Sequence, residues 1–158
     1  MTVREQSRQK ETEAVVAYIR HKVAAGEFYG YSDSAEEFSR LDGMLLKDPG
    51  SLAAGVEVKW RRYNWEKLEG EYGGEMQMPA DKLLAGQTLA YALGVPTVLL
   101  YLLDDCLVAQ RVVEGNGDKV NVVREVYEQS NRNSEGGSIQ RKNCYISTKG
   151  AEKIPIGL

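Results

Sequence analysis

Arg40-Leu41-Asp42-Gly43-Met44-Leu45-Leu46 and Gly55-Val56-Glu57-Val58-Lys59-Trp60 stand on either side of Asp48-Pro49-Gly50. In both arms long or branched apolar residues alternate with polar ones, and the residues between them are turn formers, so the segment reads as a strand hairpin. Along the second arm successive side chains point to opposite faces. Glu57 and Lys59 therefore share one face, and Val56 and Val58 share the other. If the arms pair, Asp42 comes onto the Glu57 face, giving two carboxylates and one amine at a single spot. Two hard oxygen ligands suit Mg²⁺ (or Mn²⁺), which keeps several waters and takes few protein carboxylates.

Working outward, Pro79-Ala80-Asp81 opens a helix that runs to about Leu93, with Gly94 to close it and Pro96 beyond. Gln87 and Tyr91, four residues apart, project together from it. Val95 to Leu103 is nearly continuous apolar sequence, as in a central strand buried on both faces. Upstream, Glu5 to Ala25 is a helix candidate with Val15, Val16, Ile19 and Val23 at helical spacing. Phe28-Tyr29-Gly30-Tyr31 can begin a first strand, and aromatics there would stack on bases or pack the sheet edge. Glu66 to Pro79, rich in Gly and Glu, reads as a mobile connection near the site. Downstream, Leu107 to Val113 and Val120 to Tyr127 look like strands added on the sheet's far edge, the second also suiting a short helix. Gln129 to Ser138 reads as a loop, Ile139 to Ile146 as a last strand, and Thr148 to Leu158 carries no strong signal.

A strand Asp, a short connection, then Glu-x-Lys on the next strand resembles the signature of the PD-(D/E)xK nuclease superfamily. The proline of that name is absent, since Leu41 precedes Asp42. The Gln-x-x-x-Tyr helix after the Glu-x-Lys strand is similar to the RecB-like exonuclease branch, that of bacterial recombination helicase-nucleases. That branch prefers Asp where Glu57 stands. The resemblance implies an α/β fold with a restriction-endonuclease-like core: a central mixed sheet flanked by helices in the order αβββαβ, with extra C-terminal strands, and residues 1–158 as a single nuclease-like domain. It implies Asp42 and Glu57 as metal ligands with the Val58 carbonyl as a third, Lys59 orienting the attacking water, and Gln87 approaching the site while Tyr91 supports the substrate strand. The first helix of such a fold can add an acid, here Glu11 or Glu13. A homodimer, or a subunit of a larger DNA-processing complex, is a further implication.

The expected activity is therefore Mg²⁺-dependent hydrolysis of phosphodiester bonds in DNA. The alternative is a catalytically inactive nuclease-fold protein that binds nucleic acid or a protein partner. Arg61 and Arg62 interleave with Trp60, Tyr63 and Trp65, a mixture suited to a phosphate backbone with bases beside it and equally to a solvated strand end. Arg141 and Lys142 offer two more cations for phosphate. A net charge of −3 argues against a protein that coats nucleic acid nonspecifically, though basic residues can concentrate locally. Cys106 and Cys144 form no C-x-x-C element and read as buried free thiols. His21 lacks partner histidines and reads as a surface residue. No apolar run is long enough for a membrane span and the first residues lack the apolar core of a signal peptide, so the expected location is cytoplasmic.

Overall fold

The computed structural model describes residues 2–27, 30–33, 41–48, 50–130 and 139–156. Helix α1 (Val3–Ala24) leads into strands β1 (Gly30–Asp33), β2 (Gly43–Asp48) and β3 (Ser51–Trp60). Helix α2 (Trp65–Gly70), strand β4 (Glu75–Pro79), helix α3 (Ala80–Leu93) and strand β5 (Thr97–Leu102) follow. Strands β6 (Cys106–Val113), β7 (Val122–Ser130), β8 (Ile139–Ser147) and β9 (Glu152–Pro155) complete the described chain.

Among the described residues a mixed six-stranded sheet runs in the order β1-β2-β3-β5-β6-β9. Its first three strands form an antiparallel meander, β5 lies parallel to β3, and β6 and β9 return antiparallel. Parallel pairing of β3 with β5 requires a crossover, which α3 supplies. All six residues of β5 are buried, as its unbroken apolar sequence implies, because both faces of the sheet are covered.

On one face lies α1, with Ala14, Val15 and Tyr18 packed against Val56, Val58, Val98, Leu100 and Leu107. The buried stripe of α1 is thus narrower than the valine spacing suggests. Val16 and Val23, expected inside, are 40% and 54% exposed. A Thr2–Glu5 capping box starts the helix, satisfying two of its orphan backbone donors. On the other face Leu99, Tyr101, Val108 and Val112 meet Leu83 and Ala90 of α3, Leu68 of α2, and Met76, Met78, Cys144 and Ile146.

The last four side chains belong to a second, three-stranded sheet in the order β4-β8-β7. This corrects two expectations. Glu66 to Pro79, expected as a mobile connection, instead carries a helix and a strand: Asn64 caps α2 by accepting from the Lys67 N–H at 2.9 Å, and the Met-x-Met alternation makes β4. Nor does β7 extend the main sheet; it pairs with β8, while the residues after Thr148 supply β9 at the main sheet's edge. The core strands already have their neighbours, so the Met76/Met78 face can be buried only by forming a further layer. Phe28, Tyr29 and most of the Gln129–Ser138 loop lie outside the described residues.

At α3 the helix ends where Gly94 takes φ +70°, a left-handed conformation open to glycine. The helix sits close to the sheet. A Cβ on Gly86 would lie 2.8 Å from Thr97 Oγ1 and 3.1 Å from Thr97 Cβ, so this approach needs the absence of a side chain.

Candidate active site

The β2/β3 register brings the two acids together. Gly43 stands opposite Val56, and one step further out the same pairing sets Asp42 beside Glu57 on the same face. Two bonds fix Asp42 there, its N–H donating to the Val56 carbonyl at 3.0 Å and its Oδ2 accepting from the Val58 N–H at 2.7 Å. A short side chain just past the end of the strand thus continues the ladder, which places its carboxylate over β3.

Glu57 points away from α1, on the face that carries Leu99 and Tyr101, and is 1% exposed. Lys59 Nζ lies 3.7 Å from Glu57 Oε2, and Lys82 Nζ, from the first turn of α3, lies 3.9 Å from Oε1. Neither distance is that of a hydrogen bond, and Glu57 Oε1 is buried with no hydrogen-bond partner. Burial, followed by the charge of Asp42, holds the Glu57 carboxyl well above the ordinary carboxylate range, with Lys59 and Lys82 pulling the other way. Burial also pulls the Lys59 ammonium down; Arg61 and Lys82 add to this, and Glu57 and Asp42 oppose it. A carboxyl pushed up and an amine pulled down by the same burial, at one spot, form the kind of electrostatic pair that functional sites build.

Other expected residues fall elsewhere. Gln87 donates to the Gly117 carbonyl at 2.9 Å, in the connection between β6 and β7, and Tyr91, 71% exposed, packs over Gly117. The α3 residue that reaches Glu57 is Lys82, about one and a half turns earlier. Lys82 was legible only as a helix-surface lysine, since nothing in its spacing marks it. Glu13 pairs with Lys10 at 3.2 Å, and Glu11 accepts from Ser7 at 3.5 Å, both on the helix that covers the opposite face of β3. Among the described residues no three His, Cys, Asp or Glu side chains are grouped closely enough to hold a metal ion.

Cations gather at the end of β3. Arg61 lies over the Tyr101 ring at 5.6 Å, on the Lys59 side, while Arg62 at 4.7 Å and Lys10 at 5.9 Å flank the Trp60 ring. Arg141 and Lys142 belong to β8 in the second sheet, where Lys142 is 3.6 Å from Glu125. His21 pairs with Glu152 at 3.1 Å, joining α1 to β9. Both cysteines are free and buried, and burial pushes each thiol up to about 11, which leaves them unreactive. A cleft of about 490 Å³ between α2 and the end of β8, lined by Trp65, Glu69, Gly74 and Thr148 among others, does not include Asp42, Glu57 or Lys59.

No family model, no curated protein and no solved structure matches this chain. No helix among the described residues is long and apolar enough to cross a membrane.

Proposed function

We propose that the protein is a metal-dependent nuclease that hydrolyses phosphodiester bonds in DNA, with Asp42 and Glu57 holding Mg²⁺ or Mn²⁺ and Lys59 orienting the attacking water. The observation that carries this reading is the buried Glu57 Oε1, which has no hydrogen-bond donor and stands next to a second carboxylate and a lysine. A buried acceptor left without a donor costs about 1–3 kcal/mol, a cost that a hard cation at that oxygen would remove. The donor set fits such an ion: two carboxylates, a backbone carbonyl at Val58, and remaining positions for water. The order α1, three antiparallel strands, α3, parallel β5 supports a restriction-endonuclease-like core, with α2, β4 and β6 to β9 as the additions.

A bound divalent ion would supply a Lewis acid for the phosphate and a water of lowered pKa. The chain's own residues supply the rest. Burial pulls the Lys59 ammonium down against the attraction of Glu57, and Lys59 is placed to orient the water, or take up its proton, as the water oxygen bonds to phosphorus and the ester P–O bond breaks. Arg61, on the same side, offsets charge on the phosphate. Lys10, Arg61 and Arg62 at the end of β3 supply positive charge on an otherwise acidic chain.

The test is Mn²⁺ titration by calorimetry together with cleavage of end-labelled DNA. Asp42→Ala and Glu57→Ala should lose both metal binding and cleavage, while Lys59→Ala should lose cleavage and keep metal. Absence of metal binding by the wild-type protein overturns the proposal. The second reading, an inactive nuclease-fold protein binding nucleic acid or a protein, draws on the near-complete burial of Glu57 between two lysines. It is told apart by DNA affinity without cleavage under any divalent ion.

A further inference from the structure

Among the described residues the two sheets have four edge strands of unequal length. β1 and β9 bound the main sheet with four residues each, β4 bounds the second sheet with five and ends on Pro79, and β7 bounds it with nine. No proline or glycine interrupts β7, and no described residue hydrogen-bonds to the backbone groups on its outer side. Such an edge is a template for a further strand. Val123 and Tyr127, 54% and 68% exposed, stand along it. The far end of this sheet is also thin. β4 pairs only with Asn143 to Ser147, so among the described strands Ile139 to Lys142 of β8 have β7 as their one neighbour. A two-stranded ribbon is marginally stable in water, and a third strand against β7 would steady it.

Charge and symmetry decide which strand fits. Arg124, Val126 and Glu128 share a face with Asn143 and Tyr145, opposite to the face that carries Met76, Met78, Cys144 and Ile146 into the core. Arg124 hydrogen-bonds through its Nε alone, to Glu75 at 2.8 Å, with its guanidinium over the Tyr145 ring at 3.8 Å. Glu128 accepts from Tyr145, Asn143 and Gln77 through Oε1 alone. The Arg124 Nη groups and Glu128 Oε2 thus remain for a partner. Residues opposite one another in an antiparallel pair lie on the same face, so two copies of β7 related by a two-fold axis must centre on a residue and not between two. Centred on Val126, the midpoint of β7, every residue of the strand has an opposite, and each Arg124 faces Glu128 of the second copy. Centring on Arg124 or on Glu125 sets like charges against each other. Centring on Tyr127 leaves Arg124 opposite Ser130 and Glu128 opposite Val126. Of these registers, the one that pairs the charges is the one that uses the whole strand.

We propose that β7 binds β7 of a second copy of this chain, antiparallel about Val126, which joins two three-stranded sheets into one continuous sheet. Two Arg124–Glu128 pairs and the Val126 contact on the axis lie on one face, and on the other Tyr127 stands opposite Glu125 of the second copy. The pairing goes beyond the nuclease reading and does not depend on it.

The experiment is sedimentation velocity of the full chain over a concentration series, with folding of each variant checked by circular dichroism. Wild type should sediment as a dimer at micromolar concentration and dissociate on dilution. Arg124→Glu or Glu128→Arg alone sets like charges opposite and should raise the dissociation constant about tenfold or more. An equimolar mixture of the two variants should recover the dimer, because every acid at these positions then faces an arginine. Val126→Lys leaves Arg124 and Glu128 in place and sets two ammonium groups together on the axis; it should be monomeric, and it carries the test if a charge variant fails to fold. A monomeric wild type overturns the proposal, including one whose β7 edge binds an extended peptide of another protein instead. A dimer untouched by Val126→Lys, a mixture no more associated than its components, or open-ended association in place of a closed dimer also overturns it.

Discussion

Replacing Glu57 with Gln separates a metal ligand from a structural counterion by the sign of a stability change. In the metal-free protein burial and Asp42 raise the Glu57 carboxyl above its ordinary 4.5. Above that pH the folded state keeps a proton that the unfolded state has released. Stability therefore falls as pH rises, by about 1.4 kcal/mol per pH unit, until Glu57 ionises in the folded protein. An ion buried without full hydrogen bonding costs several kcal/mol, and attraction to Lys59 and Lys82 offsets part of that, so we take about 1–3 kcal/mol. Gln keeps the shape and removes the charge. Glu57→Gln should then melt about 2–10 °C higher than wild type in EDTA at about pH 7.5, by differential scanning calorimetry. In Mn²⁺ at about a hundredfold excess over its dissociation constant the wild type should gain about 3 kcal/mol, and Glu57→Gln should gain none. If Glu57 instead serves to neutralise the two lysines, the substitution removes the carboxylate that faces them and costs about 3–5 kcal/mol, with no metal effect in either protein. A destabilised Glu57→Gln in EDTA would refute the reasoning.

Other outcomes follow from the packing. Gly86→Ala would press a Cβ to 2.8 Å from Thr97 Oγ1 and 3.1 Å from Val113 Cγ2, and should lose about 1–3 kcal/mol in urea unfolding. Thr97→Val exchanges a buried hydroxyl that has no partner for a methyl group and should be neutral or up to about 1 kcal/mol more stable; a marked loss would mean that the hydroxyl is satisfied. At Glu152 burial alone would raise the carboxyl, but bonds from Lys22 and His21 outweigh it and leave it lowered. Its contribution is present above the ordinary 4.5 and lost as pH falls through the depressed value, so Glu152→Gln should flatten that part of an acid-unfolding curve.

The main sheet apart from its edge strand β9 was legible because its signals are local. Alternation around Glu57, turn formers at residues 48–50, the unbroken apolar run of β5 and the Gly94 stop each follow from neighbouring residues. The pairing of Asp42 with Glu57 was legible for the same reason, since a short hairpin leaves little choice of register. The second sheet was not, because β4 is five residues long and its partners lie more than sixty residues away. Met76 and Met78 show the right alternation, but glycines and glutamates around them mask it. Lys82 was missed for a different reason. Which residue of a helix faces a site depends on how the helix rotates over the sheet, and the Gly55, Gly86 and Thr97 contact sets that rotation. Gln87, chosen by its spacing to Tyr91, turns toward Gly117 instead.

The chain order of the second sheet has a practical consequence. Its central strand, β8, comes late, its partner β4 precedes α3, and β5 and β6 of the main sheet lie between them in sequence. Neither sheet can be expressed on its own by choosing a start and a stop codon. Trimming the protein after β6 to obtain a shorter fragment that keeps Asp42, Glu57 and Lys59 would strip Cys144 and Ile146 from Met76 and Met78 and leave an apolar surface bare. Such a fragment should aggregate, whereas two halves cut between β6 and β7 and produced together should reassemble, since each would carry strands that the other lacks.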